Sequence, residues 1–242
     1  MKVEIWSDFA CPFCYIGKQR LDLALEQFEQ KDEVEVVFRS FELDPNAQRD
    51  VSYDVHDMLV GKYGMTREKA MEMNENLSRT AKEVGIDFQF DNLILTNTFD
   101  AHRLAQHASA KGKMNSVVQE LFRAYFTDSR HLGDHETLAD LAVQAGLTRA
   151  EALELLAGND YTAEVRAEEE EASRMGIKGV PFFVIDRKYA VSGAQSVDTF
   201  LNALQTAWKE AQPLEAVDDS GSESESAACI DGVCTPSAER VE

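Results

Sequence analysis

Four cysteines in a chain of 242 residues fall into two close pairs, Cys11-x-x-Cys14 near the N-terminus and Cys229-x₄-Cys234 near the C-terminus. Four are too few for a disulfide scaffold. In a reducing compartment, close-spaced cysteines point instead to redox or metal chemistry. A cysteine at a helix N-terminus faces unpaired N–H donors and the positive end of the helix dipole, which stabilise a thiolate. Cys11 precedes Pro12, which suits a first helical turn because its missing N–H costs nothing there. Cys11 is therefore the expected nucleophile. Cys14 lies one turn further along and nearer the core, where it can attack a mixed disulfide and release product. The competing reading is zinc, which needs four ligands. The tail pair brings two thiols and no histidine, so only a site combining both pairs would be complete. Redox chemistry is the expectation, with no metal and no bound cofactor.

These thiols need elements to hold them. A strand is expected over Lys2 to Ser7 and a turn over Asp8 to Cys11. A helix follows whose Leu21, Ala24, Leu25 and Phe28 take the i, i+3, i+4, i+7 spacing of one buried face. Val34 to Phe41, rich in β-branched and aromatic residues, reads as a second strand and completes a βαβ unit. From about Ser52 to Gly176 the period is helical throughout. Gly64, Gly85, Gly112, Gly146, Gly158 and Gly176 mark helix ends, and Thr66, Thr148 and Asp160 mark starts. Thr148 to Glu151 has capping-box spacing. Strand character returns at Pro181 to Ile185 and Tyr189 to Ser192, close enough to form a hairpin. A last helix starts at Ser196 and buries Val197, Phe200, Leu201, Leu204 and Trp208.

The order βαβ, helical block, ββα, with CxxC at the first strand-to-helix junction, resembles an α/β thioredoxin fold carrying a large all-helical insertion. The chain is similar to the DsbA-like thiol-disulfide oxidoreductases, and within them to the cytoplasmic FrnE-like branch, over roughly residues 1 to 210. The carriers are Ser7-Asp8-Phe9-Ala10-Cys11-Pro12-Phe13-Cys14-Tyr15-Ile16-Gly17, the segment Asn97 to Leu104, and Gly176-Ile177-Lys178-Gly179-Val180-Pro181-Phe182-Phe183. The resemblance implies that Pro181 follows a cis peptide and faces the cysteines, with the backbone at Val180 pairing with extended substrate. It implies substrate contacts at Pro12 and Phe13, and it places His102 either on the substrate cleft or in a partly buried structural role. Pro12-Phe13 carries no charge, unlike the histidine-containing dipeptide of strongly oxidising DsbA proteins, so a less oxidising couple is expected.

The implied division is a thioredoxin-like domain over 1–51 and 177–210, a helical insertion domain over 52–176, and an acidic tail over 211–242 bearing the accessory redox pair Cys229 and Cys234. From Pro213 onward there are eight acidic residues and one basic, net −7, against −13 for the remainder. A total charge of −20 repels phosphate backbones and anionic lipid, excluding nucleic acid and membrane surfaces as direct partners. The start Met1-Lys2-Val3-Glu4-Ile5-Trp6 lacks the apolar region of a secretory signal, so the expected location is cytoplasmic. Expected partners are protein thiols and disulfides and small thiols such as glutathione. Two alternatives remain: a glutathione-dependent isomerase of the 2-hydroxychromene-2-carboxylate type, which shares this fold but typically has serine at the first CxxC position, and a non-enzymatic holdase or metal buffer. Asp8 either modulates the thiolate or caps a turn. Glu168 to Glu171 reads as a solvated helix face near Arg166 and Arg174, while Tyr63, Met65, Met71 and Met73 read as core or as an adaptable apolar surface.

Overall fold

In the computed structural model, which describes residues 1–211, four strands form one mixed sheet in the order β2-β1-β3-β4. Strand β1 (Lys2–Ser7) is parallel to β2 (Glu35–Ser40), with Ile5 opposite Phe38. On its other side β1 runs antiparallel to β3 (Phe182–Ile185), which pairs with β4 (Tyr189–Ser192). Being interior, β1 is buried on both faces. Val3 and Ile5, with Phe183 and Ile185 of β3, pack into the main core with helix α1 (Pro12–Glu26) and helix α9 (Val197–Ala211). Phe28 and Trp208 meet edge to face at 6.0 Å between these helices. The opposite face carries Trp6 and Val184, which pack against Ala172 and Ile177.

Between β2 and β3 the chain forms seven helices: α2 (Val55–Tyr63), α3 (Arg67–Lys82), α4 (Phe99–Ala110), α5 (Met114–Phe126), α6 (His135–Gln144), α7 (Arg149–Ala157) and α8 (Thr162–Arg174). They do not have a core of their own. Phe9, in the turn after β1, sits 5.2 Å from Phe122 of α5, and Tyr15 of α1 stacks on the same ring at 5.2 Å. Thr66 and Thr148 accept from Lys69 N and Glu151 N as N-caps. Gly64, Gly85, Gly112, Gly146 and Gly176 take the left-handed conformation at helix ends, where a Cβ is disfavoured. Gly158 also ends α7, in an extended conformation, and one local expectation differs: α8 is capped by Tyr161 at φ 62° rather than by Asp160. The Arg103 guanidinium donates to the carbonyls of Leu155, Gly158 and Asp160 and holds that connection in its own geometry.

The hairpin turn has positive φ at both Asp186 and Arg187. Asp186 is tied to Lys2 through the Lys2 amide at 2.7 Å, and Arg187 reaches Glu4 and Glu171. These ties hold a backbone that asparagine and glycine adopt more readily. No helix of the described residues is long and apolar enough to cross a membrane. The accessory pair Cys229 and Cys234 lies outside the described residues.

Candidate active site

The turn after β1 delivers Cys11 to the start of α1. Cys11 is the N-cap residue with extended backbone, its amide donates to Asp8 O at 3.1 Å, and Pro12 occupies the first helical position. Across the sheet, the loop entering β3 brings Val180 to meet it: the Cys11 thiol donates to the Val180 carbonyl at 3.6 Å, and the Val180–Pro181 peptide is cis. Two segments separated by 169 residues therefore share one site. Pro181 is buried, and Val180 and Pro12 are half-buried. Phe13 is 51% exposed beside the buried Cys11, so it offers an apolar contact to whatever approaches the sulfur. Among the described residues Cys11 and Cys14 are both unbonded thiols. Burial, and then the adjoining Cys11 sulfur, push the Cys14 thiol well above its ordinary pKa, while the Asp8 backbone and the Ser7 hydroxyl act the other way. The pair thus has one sulfur facing the substrate-side loop and one held protonated behind it.

Asp8 is the fixing point beneath this turn. Its carboxylate, 1% exposed, accepts from Ala10 N at 3.1 Å, from Leu43 N at 2.7 Å and from the Thr98 hydroxyl at 2.8 Å. It therefore joins the cysteine turn to the segment after β2 and to the start of α4. Burial alone would raise its pKa, but His102 and the Leu43 and Ala10 amides outweigh that and lower it. For His102, expected either on the substrate cleft or in a partly buried structural role, the structure shows the buried placement. It is 3% exposed, its ring lies 4.8 Å from Phe9, and its Nε2 is 3.6 Å from Asp8 Oδ1. Packing of α4 under the cysteine turn turns that side chain inward.

Three further residues take places that their sequence context did not show. Gly17, inside α1, leaves room for the loop. A Cβ there would lie 3.1 Å from both Pro181 Cγ and Phe183 Cζ. An isolated glycine in a helical pattern was the available signal. Glu168 is not on a solvated face. It is 8% exposed and accepts from Arg39 at 2.8 Å, Ser40 N at 2.7 Å and Gln106 at 2.5 Å, while its carbonyl accepts from Trp6 Nε1. The 3.6 period puts it on the same side of α8 as Val165 and Ala172, which are buried too. Glu42, also buried, is held by Arg166 and borders a surface pocket of about 370 Å³ beside the Ile177-Lys178 stretch leading to Val180. By contrast, Tyr63, Met71 and Met73 are exposed and Met65 is half-buried, so they are surface rather than core.

Residues 2–205 match the DSBA-like thioredoxin domain. A probable DsbA oxidoreductase of Streptomyces coelicolor is 43% identical, with 98% of this chain and all of that chain covered and a TM-score of 0.84. A 2-hydroxychromene-2-carboxylate isomerase is 17% identical over 87% of this chain and 97% of its own, at a TM-score of 0.68. The cytosolic disulfide reductase DsbM of Pseudomonas aeruginosa is 18% identical over 87% of this chain and all of its own, at 0.62. The last two likenesses are of fold.

Proposed function

Since the chain belongs to the DSBA-like thioredoxin domain family, we propose that it is a thiol-disulfide oxidoreductase cycling Cys11 and Cys14 between dithiol and disulfide. The observation that carries this reading is the placement of two unbonded thiols at the start of α1, with Cys11 against the Val180 carbonyl and Cys14 directly behind. Cys11 attacks a substrate disulfide, and one substrate sulfur leaves as thiolate. Cys14 then attacks Cys11, the active-site disulfide forms, and the second substrate sulfur departs. Substrate backbone lies along Val180, with Pro12 and Phe13 as flanking contacts. Protein disulfides and small thiols such as glutathione are the substrate class, in the cytoplasm. The uncharged Pro12-Phe13 dipeptide supports a couple less oxidising than the roughly −120 mV of DsbA. Cys229 and Cys234 are proposed as an accessory pair exchanging with this centre.

The fold is shared with an isomerase, so fold does not separate the two activities. A second thiol behind the first favours redox cycling, because an isomerase that only binds a thiol cofactor has no need of a resolving group. Insulin-disulfide reduction and isomerase turnover should be assayed side by side. Cys11→Ser should abolish insulin reduction, and Cys14→Ser should accumulate mixed disulfides at Cys11. Isomerase turnover without insulin reduction, or equal trapping at either cysteine, would reject the assignment.

A further inference from the structure

Beside the two sulfurs lies a cavity that the thiol chemistry leaves unused. It has about 370 Å³ of room, between the end of β2, α8 and the stretch leading to Val180. Two of its sides are tied to the reacting groups. Glu42 is followed by Leu43, whose amide is held by the Asp8 carboxylate, and the Asp8 carbonyl accepts from the Cys11 amide. Lys178 stands two residues before Val180, whose carbonyl meets the Cys11 thiol. Val180 and Phe41 pack on the same small cluster, which includes Ile177, so the cavity adjoins the loop directly. Phe41, Pro45 and Ile177 supply apolar walls. Glu42 and Glu169 share the guanidinium of Arg166, and Lys178 brings a second positive charge, so two carboxylates are balanced by two cations. Such a site has no net charge with which to draw an ion. A cavity of this size with apolar walls gains most from a large uncharged side chain. The surface around Cys11 has the same character, since Phe13 and Leu43 are both exposed there.

We propose that this cavity is a subsite for polypeptide substrates, taking an aromatic or large aliphatic side chain two residues from the reacting cysteine. The inference rests on the cycling of Cys11 and Cys14 and on substrate backbone lying along Val180. An extended chain laid against another advances in step with it. With the substrate cysteine opposite Val180, the residue two places along lies opposite Lys178, at the cavity. Its side chain enters among Phe41, Pro45 and Ile177, while the exposed Lys178 keeps its ammonium in water at the rim. Polypeptides still exchanging disulfides expose apolar residues that a finished fold buries, so the subsite favours them. Glutathione disulfide carries no such side chain and gains nothing from it.

The test uses full-length reduced protein carrying Cys229→Ser and Cys234→Ser, so that oxidation reports Cys11 and Cys14 alone. It is mixed with symmetrical disulfides of short glycine-rich peptides bearing Phe, Leu, Ala, Lys or Glu two places before or two places after the cysteine. Each reaction reduces one peptide disulfide to two thiols as the Cys11 and Cys14 thiols become a disulfide, and acid quenching with mass spectrometry gives its rate. Phe and Leu at one of the two places should react roughly tenfold faster than Ala, with Lys and Glu no faster than Ala. Ser173, an exposed residue of α8, lines the cavity. Ser173→Trp fills the space and should bring the Phe peptide down to the Ala rate, while Ser173→Ala should keep the preference. Glutathione disulfide, run in parallel, shows that the cysteines of each variant still work. Should Ser173→Trp fail that check, Pro45→Ser, which removes apolar lining at an exposed position, carries the test by narrowing the Phe preference. Equal rates for Phe and Ala at both places, a faster Lys or Glu peptide, or a Phe preference that survives these substitutions overturns the subsite. If glutathione disulfide and every peptide leave Cys11 and Cys14 reduced, the cycling reading itself falls and takes the subsite with it.

Discussion

Removing the Asp8 carboxylate should cost both stability and activity, by an amount that can be worked from its contacts. Asp8→Ala leaves the partly buried amides of Ala10 and Leu43 and the buried hydroxyl of Thr98 without their acceptor. The hydroxyl can turn toward another acceptor, whereas the two amides cannot. At the low end of the about 1–3 kcal/mol for a buried donor left unpaired, as suits amides that water partly reaches, the two set a loss of about 2 kcal/mol. That is a large share of the roughly 5–15 kcal/mol that holds a typical domain folded. The same change frees the turn carrying Cys11, so insulin reduction should fall even in the fraction that remains folded. Urea unfolding at pH 7 measures the first effect, and insulin reduction at low urea the second. Acid supplies an independent check through the milder Asp8→Asn. A carboxyl whose folded pKa is depressed stabilises the fold above its unfolded value and ceases to do so as pH falls through the folded one. The stability gap between parent and Asp8→Asn should therefore be widest near neutrality and close below about pH 4. A loss under 1 kcal/mol for Asp8→Ala at pH 7, or a gap that widens in acid, would refute the account of Asp8 as the fixing point.

Gly17→Ala places a methyl 3.1 Å from Phe183 and Pro181. Phe183 is fully buried against Phe200, so the Pro181 loop must yield. Overpacking of about 1–3 kcal/mol against a helix gain of about 1 kcal/mol leaves a net loss of about 0–2 kcal/mol. Unaltered insulin reduction with raised stability would count against the close fit. Glu168→Ala should cost about 1–3 kcal/mol by leaving the buried Ser40 amide without its acceptor, while Arg39 keeps Glu4. Glu170→Ala, on the exposed side of the same helix, should stay within about 0.5 kcal/mol, and similar urea midpoints for the two would contradict the inward placement. Truncation after Pro213 should lower turnover if Cys229 and Cys234 exchange with the Cys11 centre. That exchange should quicken with added salt, since acidic groups repel, and turnover unchanged at every glutathione ratio would end the relay role of the tail.

Local features of this protein can be read from local sequence. Pro12 after a strand and a turn identifies the start of α1, and so puts Cys11 at a helix N-terminus, because the first-turn geometry involves only adjacent residues. Thr66, Thr148 and the six glycines delimit helices for the same reason, their hydrogen bonds and backbone angles being settled within three or four positions. The order of strands and helices follows from periodicity, which each segment carries by itself. What the tertiary structure decided depends on partners remote in the chain. Cys11 meets Val180 because β1 and β3 are neighbours in the sheet. Glu168 turns inward because Arg39, Ser40 and Gln106, on two other elements, can satisfy it. His102 and Ser7 share a cavity only because α4 packs beneath the strand that ends at Ser7. A buried polar group is stable only where complementary groups converge on it, and those groups come from segments tens to more than a hundred residues apart, whose meeting no short window of sequence contains.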